Sequence, residues 1–84
     1  MYKFEILTED KNRDKIIAEV SKFFDGFSIT EQIGYWKGEQ EKSLNIMIVG
    51  RYSDSRKIDR IASAIQNFND QESVMTLVSE IHES

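Results

Sequence analysis

Four cations fall within ten residues of this chain: Arg51, Arg56, Lys57 and Arg60. At the start of a helix such a group could hold an anion or a nucleotide phosphate, because unpaired backbone N–H groups and side-chain cations act on the same charge. The opposing reading is a solvated helix face. Arg56 and Arg60 are four apart and flank Asp59, and no glycine-rich phosphate loop accompanies them. Tyr35 and Trp36 could stack on a base or another planar ligand, although adjacent aromatics more often pin a hairpin or fill a subunit contact. Glu39 and Glu41 would share one face of a strand, and paired carboxylates serve acid–base chemistry or bind hard cations. With no third ligand beside them, a charged hairpin tip that discourages edge pairing is favoured.

The remaining chemistry-bearing residues are sparse. His82 is the only histidine, and there is no cysteine, so neither a thiolate metal site nor a disulfide framework exists. Ser28, Ser53 and Ser55 have no histidine at any inferable distance, which leaves a nucleophilic triad unsupported. The expectation is a protein without a catalytic constellation, a metal site or a cofactor.

Bulk properties narrow the classes further. The chain has 84 residues and a formal net charge of −4, with 39% apolar and 31% charged residues. That is a globular composition, and the charge has the wrong sign for binding a nucleic-acid backbone through counterion release. No apolar run approaches the roughly 18–20 residues of a membrane-spanning helix, and the start of the chain lacks a signal-peptide core. One cytoplasmic domain over residues 1–84 is expected, small enough that its core must come from apolar burial alone or be shared with another copy.

Periodicity places these residues on elements. Tyr2, Phe4 and Ile6 alternate with charges, as in a half-buried strand. Ile16, Ile17, Val20, Phe23 and Phe24 form one helical stripe, and Gly26 stands where a left-handed helix end is expected. A second strand runs from Phe27 to Tyr35, with Phe27, Ile29 and Ile33 as its apolar members. A turn over Trp36–Glu41 follows, in which Gly38 can take a positive φ. A third strand spans Ser43–Arg51. After helix-capping candidates among Tyr52–Ser55, a second helix carries Ile58, Ile61, Ala62, Ile65 and Phe68. The fourth strand is Ser73–Ile81. This β-α-β-β-α-β order predicts an α+β, ferredoxin-like domain: a four-stranded antiparallel sheet with both helices on one face.

Two helices leave one sheet face uncovered, and that face should be polar in a monomer. The third strand instead has Met47 and Val49 opposite Leu44, Ile46 and Ile48. The fourth has Val74 and Val78 opposite Met75, Leu77 and Ile81. Apolar character on both sides predicts a covered face, and Met47, Val49, Val74 and Val78 are the expected interface residues. Closed homo-oligomers are the commonest way to cover such a face.

The hairpin also resembles a known family. Tyr35-Trp36-Lys37-Gly38-Glu39, then Glu41, then Leu44-Asn45-Ile46-Met47-Ile48-Val49 looks like the divalent-cation-tolerance protein CutA, which belongs with the PII-like proteins. The resemblance implies a ferredoxin-like subunit that forms trimers with the sheets facing inward, and nucleotide sites in clefts between subunits. Departures are visible: Gly50-Arg51 stands where CutA has a basic-Thr ending, and Asn69-Asp70-Gln71-Glu72 replaces a His-Pro-Tyr segment. The long target-binding loop of PII proteins is absent. Fold and trimer carry over; metal chemistry and PII signalling do not.

The leading expectation is thus a non-enzymatic, PII/CutA-like regulatory or ligand-binding module, a homo-oligomer and by preference a trimer. A small anionic ligand or nucleotide would be held by Arg51, Arg56, Lys57, Arg60 and the Tyr35–Trp36 pair. The alternative is a protein-interaction module, an inhibitor or adaptor whose open sheet face engages a different protein.

Overall fold

The computed structural model describes residues 1–82. Its elements are β1 (Tyr2–Glu9), α1 (Arg13–Ser21), β2 (Ser28–Trp36), β3 (Glu39–Gly50), a 3-10 turn (Tyr52–Asp54), α2 (Ser55–Asn69) and β4 (Met75–Glu80). The strands form one sheet in the order β2-β3-β1-β4, with every pairing antiparallel. This is the expected ferredoxin-like arrangement. Among the described residues no helix is long and apolar enough to cross a membrane.

Cross-strand partners point to the same side of a sheet, so the register sorts the faces. Phe4 is paired with Ile48, Ile6 with Ile46 and Thr8 with Leu44, and Ile29 with Ile46. All but the half-buried Ile29 are buried, and they pack against Ile16 and Val20 of α1 and Ile58, Ile61 and Ile65 of α2. Both helices therefore cover the side carried by even-numbered residues of β1 and β3. At about 1.5–3 kcal/mol for each fully buried aliphatic side chain, this layer is the main stabilising term.

Local chemistry departs from the sequence reading at several points. Gly26 is not left-handed. Instead α1 ends when the Val20 carbonyl accepts from both Phe23 and Phe24 N–H groups, at 3.0 Å each, with Lys22 still right-handed. Phe23 and Phe24 lie beyond the helix but stay against the core. The positive φ angles fall on Asn12, Lys37, Gly38 and Asp70. The hairpin turn is only Lys37-Gly38, so β3 begins at Glu39 rather than Ser43, and Ile33 sits exposed on the extended ribbon.

Two consecutive positive φ values, 51° at Lys37 and 80° at Gly38, suit a tight two-residue hairpin whose twist matches its strands. A Cβ at Gly38 would meet nothing within 4 Å, so its cost would be conformational rather than steric. Gly38→Val should lower stability by about 1–3 kcal/mol in urea denaturation, with Gly38→Asn close to the parent. Equal stability of both variants would contradict this account.

The fourth strand corrects the expected faces. Its register pairs Phe4 with Val78 and Ile6 with Thr76, which puts Val78 on the helix-covered side. Val74 is partly buried against the core. The open side of β4 carries Met75 and Leu77 instead. Alternation shows which residues share a face, but only pairing with β1 decides which face it is.

Candidate functional site

Arg51, Arg56, Lys57 and Arg60 all lie exposed around the start of α2. Asp54 sits among them. Its carboxylate accepts from the Arg51 N–H at 2.9 Å and lies 3.2 Å from Lys57 Nζ. The Arg51 N–H holds the Asp54 carboxyl below its ordinary range; burial opposes it, and Lys57 adds to the lowering. Lys57 Nζ also lies 5.8 Å from the centroid of the Phe24 ring. The chain thus answers part of this positive group with its own carboxylate. A Cβ at Gly50 would lie 2.7 Å from Asp54 Oδ2, so the close approach of this carboxylate depends on glycine there.

Tyr35 and Trp36 stand at the other end of the sheet. The twelve residues of β3 separate the hairpin tip from Arg51, roughly 35–40 Å of extended chain. Within one subunit the aromatic pair and the basic group do not meet. Both aromatics are exposed, and the register turns Trp36 toward the open sheet face and Tyr35 toward the opposite side.

A concavity of the surface lies at this hairpin end and was not foreseen from the sequence. It is a cleft of about 620 Å³. Leu7, Glu9, Gly34, Trp36, Glu41, Ser43 and Met75 bring the open face of the sheet into it, and Asp70–Ser73 form its opposing wall. Thr8, Lys11, Tyr35 and Lys37 complete the lining. Three segments far apart in the chain build it, so no contiguous motif announces it.

Its wall is held by a polar network at the junction of β1, α1 and α2. Asn69 is buried, 3% exposed, at the end of α2. Its Nδ2 donates to Gln71 Oε1 at 3.0 Å and more weakly to Thr8 Oγ1 at 3.5 Å, and its Oδ1 accepts from Asn12 Nδ2 at 2.9 Å. Thr8 Oγ1 also donates to Gln71 Oε1. Left-handed Asn12 and Asp70 turn the chain at this junction, at the start of α1 and the end of α2. Gln66 Nε2 then holds the Glu72 carbonyl at 2.9 Å. A sequence signal existed in the polar run Asn67–Gln71, but it reads only as a helix end.

The open sheet face continues from the cleft. Met47 (36% exposed), Val49 (46%), Met75 (60%) and Leu77 (45%) lie along it. Between them Lys3 pairs with Glu5 at 3.7 Å, and Asn45 Nδ2 donates to Glu5 Oε2 at 2.7 Å. Asn45 Oδ1 is buried with no hydrogen-bond partner. Of the expected interface residues, Met47 and Val49 are on this face while Val74 and Val78 are not. Among the described residues no three acidic or histidine side chains converge where they could hold a metal ion.

No family model matches the chain, and no curated protein matches it in sequence. Solved structures share its fold. GlnK from B. subtilis, in a complex with ATP, superposes with a TM-score of 0.72 at 21% identity, over 95% of this chain and 80% of that one. CPII from Thiomonas intermedia, a nitrogen-regulatory PII-like protein bound to ADP, AMP and bicarbonate, gives 0.67 at 16% identity, over 95% and 88%. A phage SAM lyase without ligand gives 0.72 at 17% identity, over 94% and 79%. The ferredoxin-like subunit of PII-like proteins is therefore the fold of this chain. The same fold also carries an enzyme.

Proposed function

We propose that this chain is a non-enzymatic ligand-binding or regulatory module that works as a homo-oligomer, a trimer by analogy with the resemblance in its hairpin. The carrying observation is the uncovered sheet face, where Met47, Val49, Met75 and Leu77 lie exposed and run into the 620 Å³ cleft. Covering that face with other copies would bury these side chains. The cleft would then open at a subunit boundary, where a small ligand could report on or stabilise the assembly.

Arg56 and Arg60 make no ion pair among the described residues and are the second candidate site, with Arg51 and Lys57, for a phosphate-bearing ligand. The nucleotides bound by GlnK and CPII favour keeping that reading beside the first. The absence of catalysis rests on side chains, since the fold itself accommodates a lyase. Ser43 and Ser55 donate to backbone carbonyls, of Gln32 and Tyr52, and not to a base.

Light scattering on the purified chain tests the assembly. The expected mass at tens of micromolar is three times that of one chain. A monomer at that concentration would overturn the proposal in favour of a module that covers its apolar face with a different protein.

A further inference from the structure

We infer that Asp25-Gly26, in the connection between α1 and β2, is a site of spontaneous backbone modification, where Asp25 isomerises to isoaspartate through a cyclic imide. It is a change in the chain itself and needs neither the assembly nor the cleft. The Gly26 nitrogen follows the Asp25 carbonyl directly, so its attack on Asp25 Cγ closes a five-membered ring, an intramolecular step favoured by proximity. The N–Cγ bond forms as water leaves, made from a carboxyl oxygen, the carboxyl proton and the amide hydrogen. A second water then reopens the imide, and nothing is oxidised or reduced. Cleavage at Cγ restores aspartate. Cleavage at the Asp25 carbonyl carbon leaves the chain running through Cγ, with the former backbone carbonyl as the free carboxylate.

Sequence and structure both single out this dipeptide. Asp25 is the only Asp or Asn followed by glycine, whose missing Cβ leaves the attacking nitrogen unhindered and the backbone free to turn toward the side chain. Both residues are exposed and lie outside helix and strand. Among the described residues no backbone hydrogen bond engages the Gly26 N–H, and Asp25 makes no ion pair. A Cβ at Gly26 would meet nothing within 4 Å, so the space into which the ring must close is open.

Other acidic and amide side chains are held away from this reaction. The Asp54 carboxylate accepts from the Arg51 N–H at 2.9 Å and pairs with Lys57, while the N–H that follows it, of Ser55, donates to the Tyr52 carbonyl. Asn69 is buried, and the next N–H, of Asp70, donates to the Asn67 carbonyl at 3.2 Å. Attack at either place would first have to break these bonds. Phe24 and Phe27, on the two sides of Asp25-Gly26, pack against the core. Isomerisation adds one methylene to the backbone between these anchors and so loosens the join of α1 to β2.

The experiment incubates the full chain at neutral pH and body temperature, digests it with trypsin, and measures isoaspartate at every Asp and Asn by electron-transfer fragmentation. The synthetic peptide Phe23–Lys37, incubated alone, gives the unrestrained rate. Isoaspartate should form at Asp25 of the folded chain within tenfold of the peptide's rate, and at least tenfold faster than at any other position. In Gly26→Ala, which the open space accommodates and whose fold is checked by circular dichroism, the rate should fall at least tenfold. A rate more than tenfold below the peptide's would show that the fold protects the dipeptide and would overturn the inference. So would equal accumulation at another Asp or Asn, or an unchanged rate in Gly26→Ala. The aged chain should melt below the fresh chain as its isoaspartate content rises, and an unchanged Tm at high conversion would overturn the coupling to the core.

Discussion

In the proposed homo-oligomer, glutamate at both Met47 and Leu77 should convert the assembly to monomers without unfolding the subunit. Each side chain sits on the open sheet face, at 36% and 45% exposure in the single chain. Completing the burial of such a side chain between copies contributes about 0.5–1.5 kcal/mol, and replacing it with a carboxylate adds the larger cost of desolvating a charge beside Glu5. Two positions in every copy together weaken association by more than about 4 kcal/mol, a thousandfold or more in the dissociation constant. In the isolated subunit the same changes face water and should shift stability by no more than about 0.5 kcal/mol. Light scattering and urea denaturation on one preparation separate the two effects. An intact oligomer in the double variant would place the interface elsewhere, and a loss of fold would show that these residues serve the subunit itself.

Asn69→Ala should loosen the junction of β1, α1 and α2. It removes the buried acceptor of Asn12 Nδ2 and the donor to Gln71 Oε1, and leaves their partners facing a hole. Each partner keeps a second bond, Asn12 Nδ2 to the Phe68 carbonyl and Gln71 Oε1 from Thr8 Oγ1, and neither residue is buried, so a loss of about 1–2 kcal/mol is expected. For a domain of this size that lowers the Tm by roughly 5–15 °C. Because Gln71 and Glu72 form the cleft wall, ligand affinity should fall in the same variant at temperatures where it remains folded. A melting temperature within a few degrees of the parent would mean that the network is incidental to the junction.

The contrast between these two sites explains what the sequence could disclose. Strands and helices were legible because their signals are local: Phe4 and Ile6 alternate, and Ile58, Ile61, Ala62 and Ile65 recur at helical spacing. The apolar open face was legible as a surplus, since Met47 and Val49 oppose Ile46 and Ile48. Its continuation on β4 was assigned to Val74 and Val78, because a one-residue shift in pairing exchanges the two faces and nothing within Ser73–Ile81 reveals the register. Asn12 and Asp70 escaped notice because only their φ angles mark them as turning points, and non-glycine residues rarely adopt such angles. The basic group drew attention by being contiguous in the chain. The cleft did not, because its lining comes from the ends of β1, of the hairpin and of α2, which meet only in the folded subunit.

The strand order has a consequence in time. β1 lies at the centre of the sheet, flanked by β3 on one edge and β4 on the other. The β2–β3 ribbon can form early, because its partners are neighbours across a two-residue turn. β1 can join that ribbon as soon as β3 exists, yet its far edge stays bare until the fourth strand has emerged and α2 has folded back. For that interval the nascent subunit presents an unpaired strand edge beside an unfinished core, which is the condition under which chains join the wrong neighbour. The step that closes the subunit is thus the step that ends its vulnerability.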